Sequence, residues 1–413
     1  MSSTKDQAPE TLAIHGHYDK FRSEGAVKPP LFATSTFAAR SAAELARWFD
    51  QAYGLTGPAS NPEGLIYSRL VNPDLEIYER RVAEFEGAED AALFASGMAA
   101  IFTTAFTVCR PGDQILYSEP LYGGSDFLYR LLLPQWGIET FGFDATESIS
   151  DTEDRISGLP NLKLVHLESP ANPTLQFVDV RGITKAAHRH NKECIVAVDN
   201  TVLGPIFQRA LELGADIALY SATKMLSGHS DLIAGLAMGN KEQLGAIKGT
   251  RTILGTMNDP HAAWLLLRSL ETLKVRAEAA QAKARKVASF LSRHPAVSHL
   301  YYPGLTDDSE QQRRFEDQAH GRGSLLSFRV LGGQNAAYQV LDSLKVAVLA
   351  VSLGSTETLA EHPRSHTHSD IPIEDQERFG ITDDMIRLSV GLEDADDIIA
   401  DLRSALDPLV ENV

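Results

Sequence analysis

Cysteine is scarce in this chain: two residues in 413, Cys109 in TVCRPGD and Cys194 in KECIVAVD. Two cysteines cannot build a disulfide framework. Both sit in or beside apolar stretches and read as small buried side chains, so a reducing cytoplasm is the expected compartment. Basic charge is also short. Lys and Arg number 38 against 55 Asp and Glu, giving a net charge of −17 and a pI near 5.2. Neither a nucleic-acid backbone nor an anionic membrane surface attracts such a chain. Long apolar runs are missing: the best candidate, Val346 to Leu353, is strand-sized, far below the roughly 18–20 residues that span a bilayer. MSSTKDQAPE has no apolar core, so no secretory signal is expected. The 13 histidines include the His15/His17 and His366/His368 pairs, but none shows HExxH or Cys/His zinc spacing, and no metal is expected. What the chain does have is 43% hydrophobic and 23% charged residues, ordinary globular proportions that can fill a sizeable core.

The organisation changes along the length. The first sixty or so residues lack sustained periodicity and are punctuated by Gly25, Pro29, Pro30, Gly54, Gly57, Pro58, Pro62 and Gly64. They read as an extended arm with one short helix, roughly Ala42 to Ala52. From about Leu75 the texture is regular. A charged amphipathic helix ends at Gly87, and then short strands (AALFAS, QILYS, LKLVHLE, IVAVD, DIALYSAT, LIAGLAMG) alternate with helices, one of them running through FLYRLLLPQWG. That alternation predicts an α/β fold with a mostly parallel sheet covered on both faces. A long helix from roughly Ala262 to Arg293, strand-like SLLSFRV and KVAVLAVS, and a helical ending predict a smaller α+β domain. The expected division is an arm over 1–65, a cofactor-binding α/β domain over 66–262 and a C-terminal α+β domain over 263–413.

Chemistry concentrates in SATKMLSGHSDLIAG, Ser221 to Gly235. A lone lysine past a strand is usually an exposed loop residue; the company of Lys224 sets it apart. Asp199 ends the strand IVAVD, and carboxyl ends of parallel strands are where open α/β sheets bind ligands. A lysine and an aspartate at two strand ends suit pyridoxal phosphate: the lysine forms a Schiff base, and the aspartate keeps the ring nitrogen protonated. The phosphate needs a cup, and ALFASGMAAIFTTAF offers a strand, Ser96-Gly97-Met98 and a helix N-terminus. Ser221 and Thr223 add hydroxyls, and Tyr122 follows the next strand, where its ring can stack on a pyridine.

Read together, YSRLVNP (67–73), SGMAAI (96–101), LYGGS (121–125), ESPANPTLQFVD (168–179), VDNTVLGP (198–205), SATKMLSGHSD, YPGL (302–305), SLGSTETLAEHP (352–363) and RLSVGLED (387–394) resemble a known family. It is the Cys/Met-metabolism pyridoxal-phosphate enzymes, the cystathionine γ-synthase, methionine γ-lyase and O-acetylhomoserine sulfhydrylase group, in the aspartate-aminotransferase-like fold (fold type I). The resemblance runs from about Lys28 onward. It implies pyridoxal 5'-phosphate held covalently by Lys224, with Asp199 as pyridinium partner and Tyr122 as stacking ring and proton donor to the leaving group. Gly97, Met98, Ser221 and Thr223 then resemble the phosphate binders, and Asn172 the asparagine beside the ring hydroxyl. Arg387 resembles the arginine that holds the substrate α-carboxylate, with Ser352 near it. Tyr67 and Arg69 resemble residues donated to a neighbouring subunit, implying a homotetramer, a dimer of dimers whose active sites are each shared between two subunits.

The implied reaction is γ-elimination on a γ-substituted homoserine-type amino acid. The alternative is γ-replacement on an O-acylhomoserine, as in a sulfhydrylase or cystathionine γ-synthase. A non-catalytic relative is a third possibility, against which Lys224, Asp199, Tyr122 and Arg387 weigh together. Cystathionine-handling members commonly carry glutamate before SLG; here Val351 stands there, losing a charge-assisted contact worth roughly 1.5–3 kcal/mol. Methionine γ-lyases usually carry cysteine two positions after the stacking tyrosine; here it is Gly124, expected to leave extra room beside the leaving group. An O-acyl ester, a thioether other than methionine, or an oxyguanidine such as canavanine remains.

Overall fold

The computed structural model describes residues 7–55 and 63–411, so MSSTKD and Gly57, Pro58 and Pro62 of the arm lie outside the described residues. Among the described residues the arm holds two α-helices rather than one, with a 3₁₀ turn at Lys20–Arg22 between them. α1 (Pro9–His15) is too short for its periodicity to register, and its last carbonyls find their partner in tertiary structure. Arg81, buried in α3 (Pro73–Glu86), donates to the carbonyl oxygens of Ala13 and Gly16, each at 2.8 Å. Between them, α2 (Ala42–Tyr53) is capped by Ser41 and ends at Gly54, whose φ of 65° suits glycine. None of its residues is buried.

Seven strands form the large sheet: β1 (Asp90–Phe94), β2 (Gln114–Glu119), β3 (Glu139–Asp144), β4 (Leu162–Glu168), β5 (Ile195–Asp199), β6 (Ile217–Tyr220) and β7 (Gly235–Gly239). Their order is β1-β7-β6-β5-β4-β2-β3. β7 alone runs against its neighbours β1 and β6. The strands are buried on both faces: Val196 and Val198 of β5 enter one apolar core and Ala197 the other. Parallel direction therefore brings the ends of β4, β5 and β6 to one edge, carrying Glu168, Asp199 and the Ser221–Lys224 turn. A second sheet, in the order β10-β11-β12-β9-β8, comprises β8 (Val297–Tyr301), β9 (Leu325–Val330), β10 (Val348–Leu349), β11 (Leu359–Glu361) and β12 (Met385–Ser389). It packs on its own apolar core with the helix Ala395–Glu411.

Three local expectations need correction. The long helix is two, Pro260–Leu270 and Leu273–Leu291, because buried Arg276 donates to the Ser269 carbonyl at 2.9 Å and satisfies the first helix's end. KVAVLAVS holds only a two-residue strand: the Asp401 carboxylate accepts the N–H groups of Lys345, Val346 and Ala347, withdrawing them from any ladder. The helix through FLYRLLLPQWG passes from α to a wide π turn at Leu128–Leu132 and a tight 3₁₀ turn at Leu133–Trp136. Pro134 cannot donate to an α-ladder there.

Candidate active site

The helix α4 (Gly97–Val108) begins just beyond β1, capped by Ser96, whose hydroxyl accepts the Ala99 N–H at 3.0 Å. A Cβ on Gly97 would lie 3.0 Å from Ser221 Cβ and 3.1 Å from its Cα. Any larger residue would force the Ser221 turn back from this helix start by a few tenths of an ångström. Unpaired N–H groups at the N-terminus of a twelve-residue helix, beside the Ser221 hydroxyl, form an anion cup. Thr223 is differently engaged: its hydroxyl donates to the Ala234 carbonyl at 3.1 Å and accepts the Ala234 N–H at 2.9 Å.

Lys224 follows on the turn, and its Nζ donates to Ser352 Oγ at 2.9 Å. Burial, then the Arg387 charge, pulls its pKa down to about 8, against a partial counter-effect from Glu361. Ser352 has φ 109°, a costly conformation for a non-glycine residue. It serves two groups at once, because its carbonyl accepts Arg387 Nη2 at 2.9 Å. Arg387, buried on β12, also donates Nη1 to Asn172 Oδ1 at 3.0 Å and ion-pairs with Glu361 Oε1 at 2.8 Å. Register places Glu361 of β11 opposite Arg387, and both are almost wholly buried. Val351, one residue before Ser352, is exposed.

At the neighbouring strand ends stand two carboxylates. Asp199 Oδ1 accepts the Thr201 N–H at 3.1 Å and the Thr201 hydroxyl at 2.5 Å. Burial raises its proton affinity, which those hydrogen bonds oppose. Glu168 is its register partner across β4 and β5, and burial plus the Asp199 charge push its pKa upward. Sequence reasoning missed Glu168, although it ends LKLVHLE just as Asp199 ends IVAVD. It also missed Glu361, whose strand is three residues long.

Tyr122 is 46% exposed, so its ring can meet a ligand. The expectation of extra room at Gly124 is wrong. A Cβ there would lie 2.9 Å from Tyr122 Cε1 and 3.1 Å from Met98 Sδ, so the tyrosine ring and the methionine already fill the space. Gly124→Ala is therefore expected to keep the fold while swinging the exposed ring aside, lowering kcat roughly 10–100-fold. Thermal melting beside steady-state kinetics checks this; an unchanged kcat contradicts the packing.

Tyr67 and Arg69 lie apart from this group within the chain. Arg69 Nη1 donates to the Thr252 carbonyl at 2.7 Å and its guanidinium lies 5.7 Å from the Tyr67 ring centroid. They line an open pocket with Phe37, Leu45, Phe49 and Tyr53. Among the described residues no hydrogen bond or ion pair joins either to Lys224, Asp199 or Gly97, and no His/Cys/Asp/Glu cluster could hold a metal.

A partly neutral amine, a buried carboxylate and an anion cup with a close glycine approach can together hold a phosphorylated pyridine aldehyde. The comparisons agree with that chemistry. The sequence model of the Cys/Met metabolism PLP-dependent enzymes matches residues 10–407. The chain is 41% identical over 391 residues to an L-methionine gamma-lyase of Treponema denticola, covering 94% of each chain. It is 35% identical to an O-succinylhomoserine sulfhydrylase of Pseudomonas aeruginosa, covering 98% of this chain and 96% of the relative. The solved cystathionine gamma synthase of Xanthomonas oryzae pv. oryzae, in complex with aminoacrylate and cysteine, superposes with a TM-score of 0.88 at 31% identity, covering 98% of this chain and all of that one.

Proposed function

The chain belongs to the Cys/Met metabolism PLP-dependent enzymes, and we propose that it is a γ-lyase acting on a γ-substituted homoserine-type amino acid. The observation that carries this reading is the Lys224–Ser352–Arg387 chain, which links a depressed-pKa amine to a buried guanidinium through a single serine. When bound, pyridoxal phosphate supplies an aldehyde for covalent attachment and a ring that stores the electron pair released at the substrate α-carbon. The chain's residues do the rest. Arg387, its guanidinium oriented by Asn172, Ser352 and Glu361, takes the substrate α-carboxylate. Lys224, steered by the Ser352 hydroxyl, removes the α-proton and later moves protons at the β-carbon. With the cofactor bound, Asp199 would hold negative charge against the ring nitrogen, Gly97, Met98, Ser221 and Thr223 would hold the phosphate, and Asn172 would take the ring hydroxyl. Thr223 can donate there only by turning from Ala234. Tyr122 delivers the proton with which the γ-substituent departs. Overall, substrate and water give 2-oxobutyrate, ammonia and the protonated leaving group.

The relatives' names divide between elimination and replacement, so γ-replacement on an O-acylhomoserine is the second reading. The uncharged, exposed Val351 supports a substrate without a distal ammonium. We further propose a cytoplasmic homotetramer, a dimer of dimers, in which the 1–65 arm reaches a neighbouring subunit and Tyr67 and Arg69, just after it, serve that neighbour's site. We also propose the division 66–262 and 263–413: the two sheets have separate cores, although Ala263 to Ala277 still pack in the first and the second begins at Ala284. Among the described residues, no helix is long and apolar enough to cross a membrane. Product analysis tests the reaction: methionine, cystathionine, O-acetyl- and O-succinyl-homoserine, homocysteine and canavanine, each with and without sulfide or cysteine. The expected product is 2-oxobutyrate from at least one substrate without added thiol. Pyruvate as main product contradicts γ-chemistry, and turnover only with thiol present selects replacement.

A further inference from the structure

We propose that Glu168 is the positioning residue of this site, one buried carboxylate anchoring the two loops that carry Tyr122 and Asn172. The inference rests on the functional reading above. Oε2 accepts the Tyr122 N–H at 2.8 Å and Oε1 accepts the Asn172 N–H at 2.9 Å. The glutamate's own N–H donates to Ser118 Oγ at 3.0 Å. Thus β2, the Tyr122 turn and the loop after β4 meet on a single residue that is 4% exposed, where bulk water competes poorly for those donors.

The arrangement is costly, which argues that it is used. Burial and the neighbouring Asp199 charge raise the penalty for charge on Glu168, and the Asn172 and Tyr122 N–H groups it accepts oppose that rise. Yet a glutamine of the same size does not do its job. A glutamine offers one acceptor oxygen and would turn its NH₂ donors toward a backbone N–H, leaving one amide unpaired. An aspartate keeps both carboxyl oxygens but is one methylene short. Anything that loosens Glu168 travels forward by two routes. Through Tyr122 it moves the exposed ring. Through Asn172 it moves the amide that orients Arg387 at 3.0 Å, and the Asn172 carbonyl that faces His368 Nε2 at 3.2 Å.

The test uses holoenzyme carrying Glu168→Gln, Glu168→Asp or Glu168→Ala. Amide hydrogen exchange is read on peptides containing Tyr122 and Asn172, together with the visible circular dichroism of the bound cofactor, kcat and KM. For Glu168→Gln the expected result is at least about tenfold faster exchange at one or both amides and a kcat lowered roughly 10–100-fold. The circular dichroism band should change while the cofactor stays on Lys224, and Glu168→Asp should fall between glutamine and wild type. If Glu168→Ala does not fold, the isosteric glutamine carries the test. Unchanged exchange at both amides overturns the proposal, as does faster exchange with unaltered kcat, KM and dichroism. Failure of the underlying site reading shows separately, as Tyr122→Phe and Asn172→Ala variants that leave kcat and KM at wild-type values.

Discussion

Replacing Lys224 with alanine is expected to abolish the yellow colour of the holoenzyme, its borohydride-fixed label and at least about 10³-fold of its turnover, because one amine serves as both covalent anchor and base. The fold should survive, since among the described residues the change removes one side-chain hydrogen bond, Nζ to Ser352 Oγ. The pH dependence follows from the depressed pKa of about 8, set first by burial and then by the Arg387 charge. A lysine is nucleophilic only when neutral. At pH 7.5 roughly a quarter of Lys224 is neutral, against about one part in a thousand of an ordinary lysine. Covalent uptake of pyridoxal phosphate by wild-type apoprotein should therefore climb nearly tenfold per pH unit below about 8 and level off above it. Stopped-flow absorbance measures this directly. A retained label on a different lysine after peptide mapping refutes the assignment, and a rise continuing to pH 10 refutes the electrostatic account.

How much of this was legible beforehand depended on whether a residue's role is local. Asp199 ends a short apolar strand and Lys224 follows another on the Ser-Ala-Thr-Lys turn, and it is a lysine and an aspartate together at two neighbouring strand ends that stand out. Gly54 and Gly87 end helices through their own left-handed backbone, a property of one residue. Glu168 and Glu361 also end strands, but neither has a chemical partner beside it in the sequence, and the meaning of each lies in partners 46 residues (Tyr122) or 26 residues (Arg387) distant. Gly124 failed for a sharper reason. A glycine in sequence is missing volume, but in the folded chain Tyr122 and Met98 close over it. The break after Leu270 is also tertiary, made by Arg276 reaching back to the Ser269 carbonyl.

Mixing two inactive variants, Arg69→Ala and Lys224→Ala, should regenerate activity, and the arithmetic of shared sites sets how much. Within the chain Arg69 is bonded to Thr252 and faces the Tyr67 ring, with no hydrogen bond or ion pair to Lys224 among the described residues. If both residues serve a phosphate cup, they serve that of a neighbour. A mixed dimer then contains one site with both lesions and one with neither. With random exchange of equal amounts, half the dimers are mixed, so about a quarter of all sites recover. Sites built within one chain give no recovery at any ratio, because each chain carries its own lesion. Brief low-denaturant treatment permits exchange, and kcat per bound cofactor, followed as the ratio is varied, traces a curve with its maximum at equal amounts. Sedimentation of the mixture distinguishes dimer from tetramer at the same time. A fully active monomer would remove the reason for Tyr67 and Arg69 to stand where they do: exposed or half-buried, beside Phe37 and beside Leu45, Phe49 and Tyr53 of a helix none of whose residues is buried within its own chain.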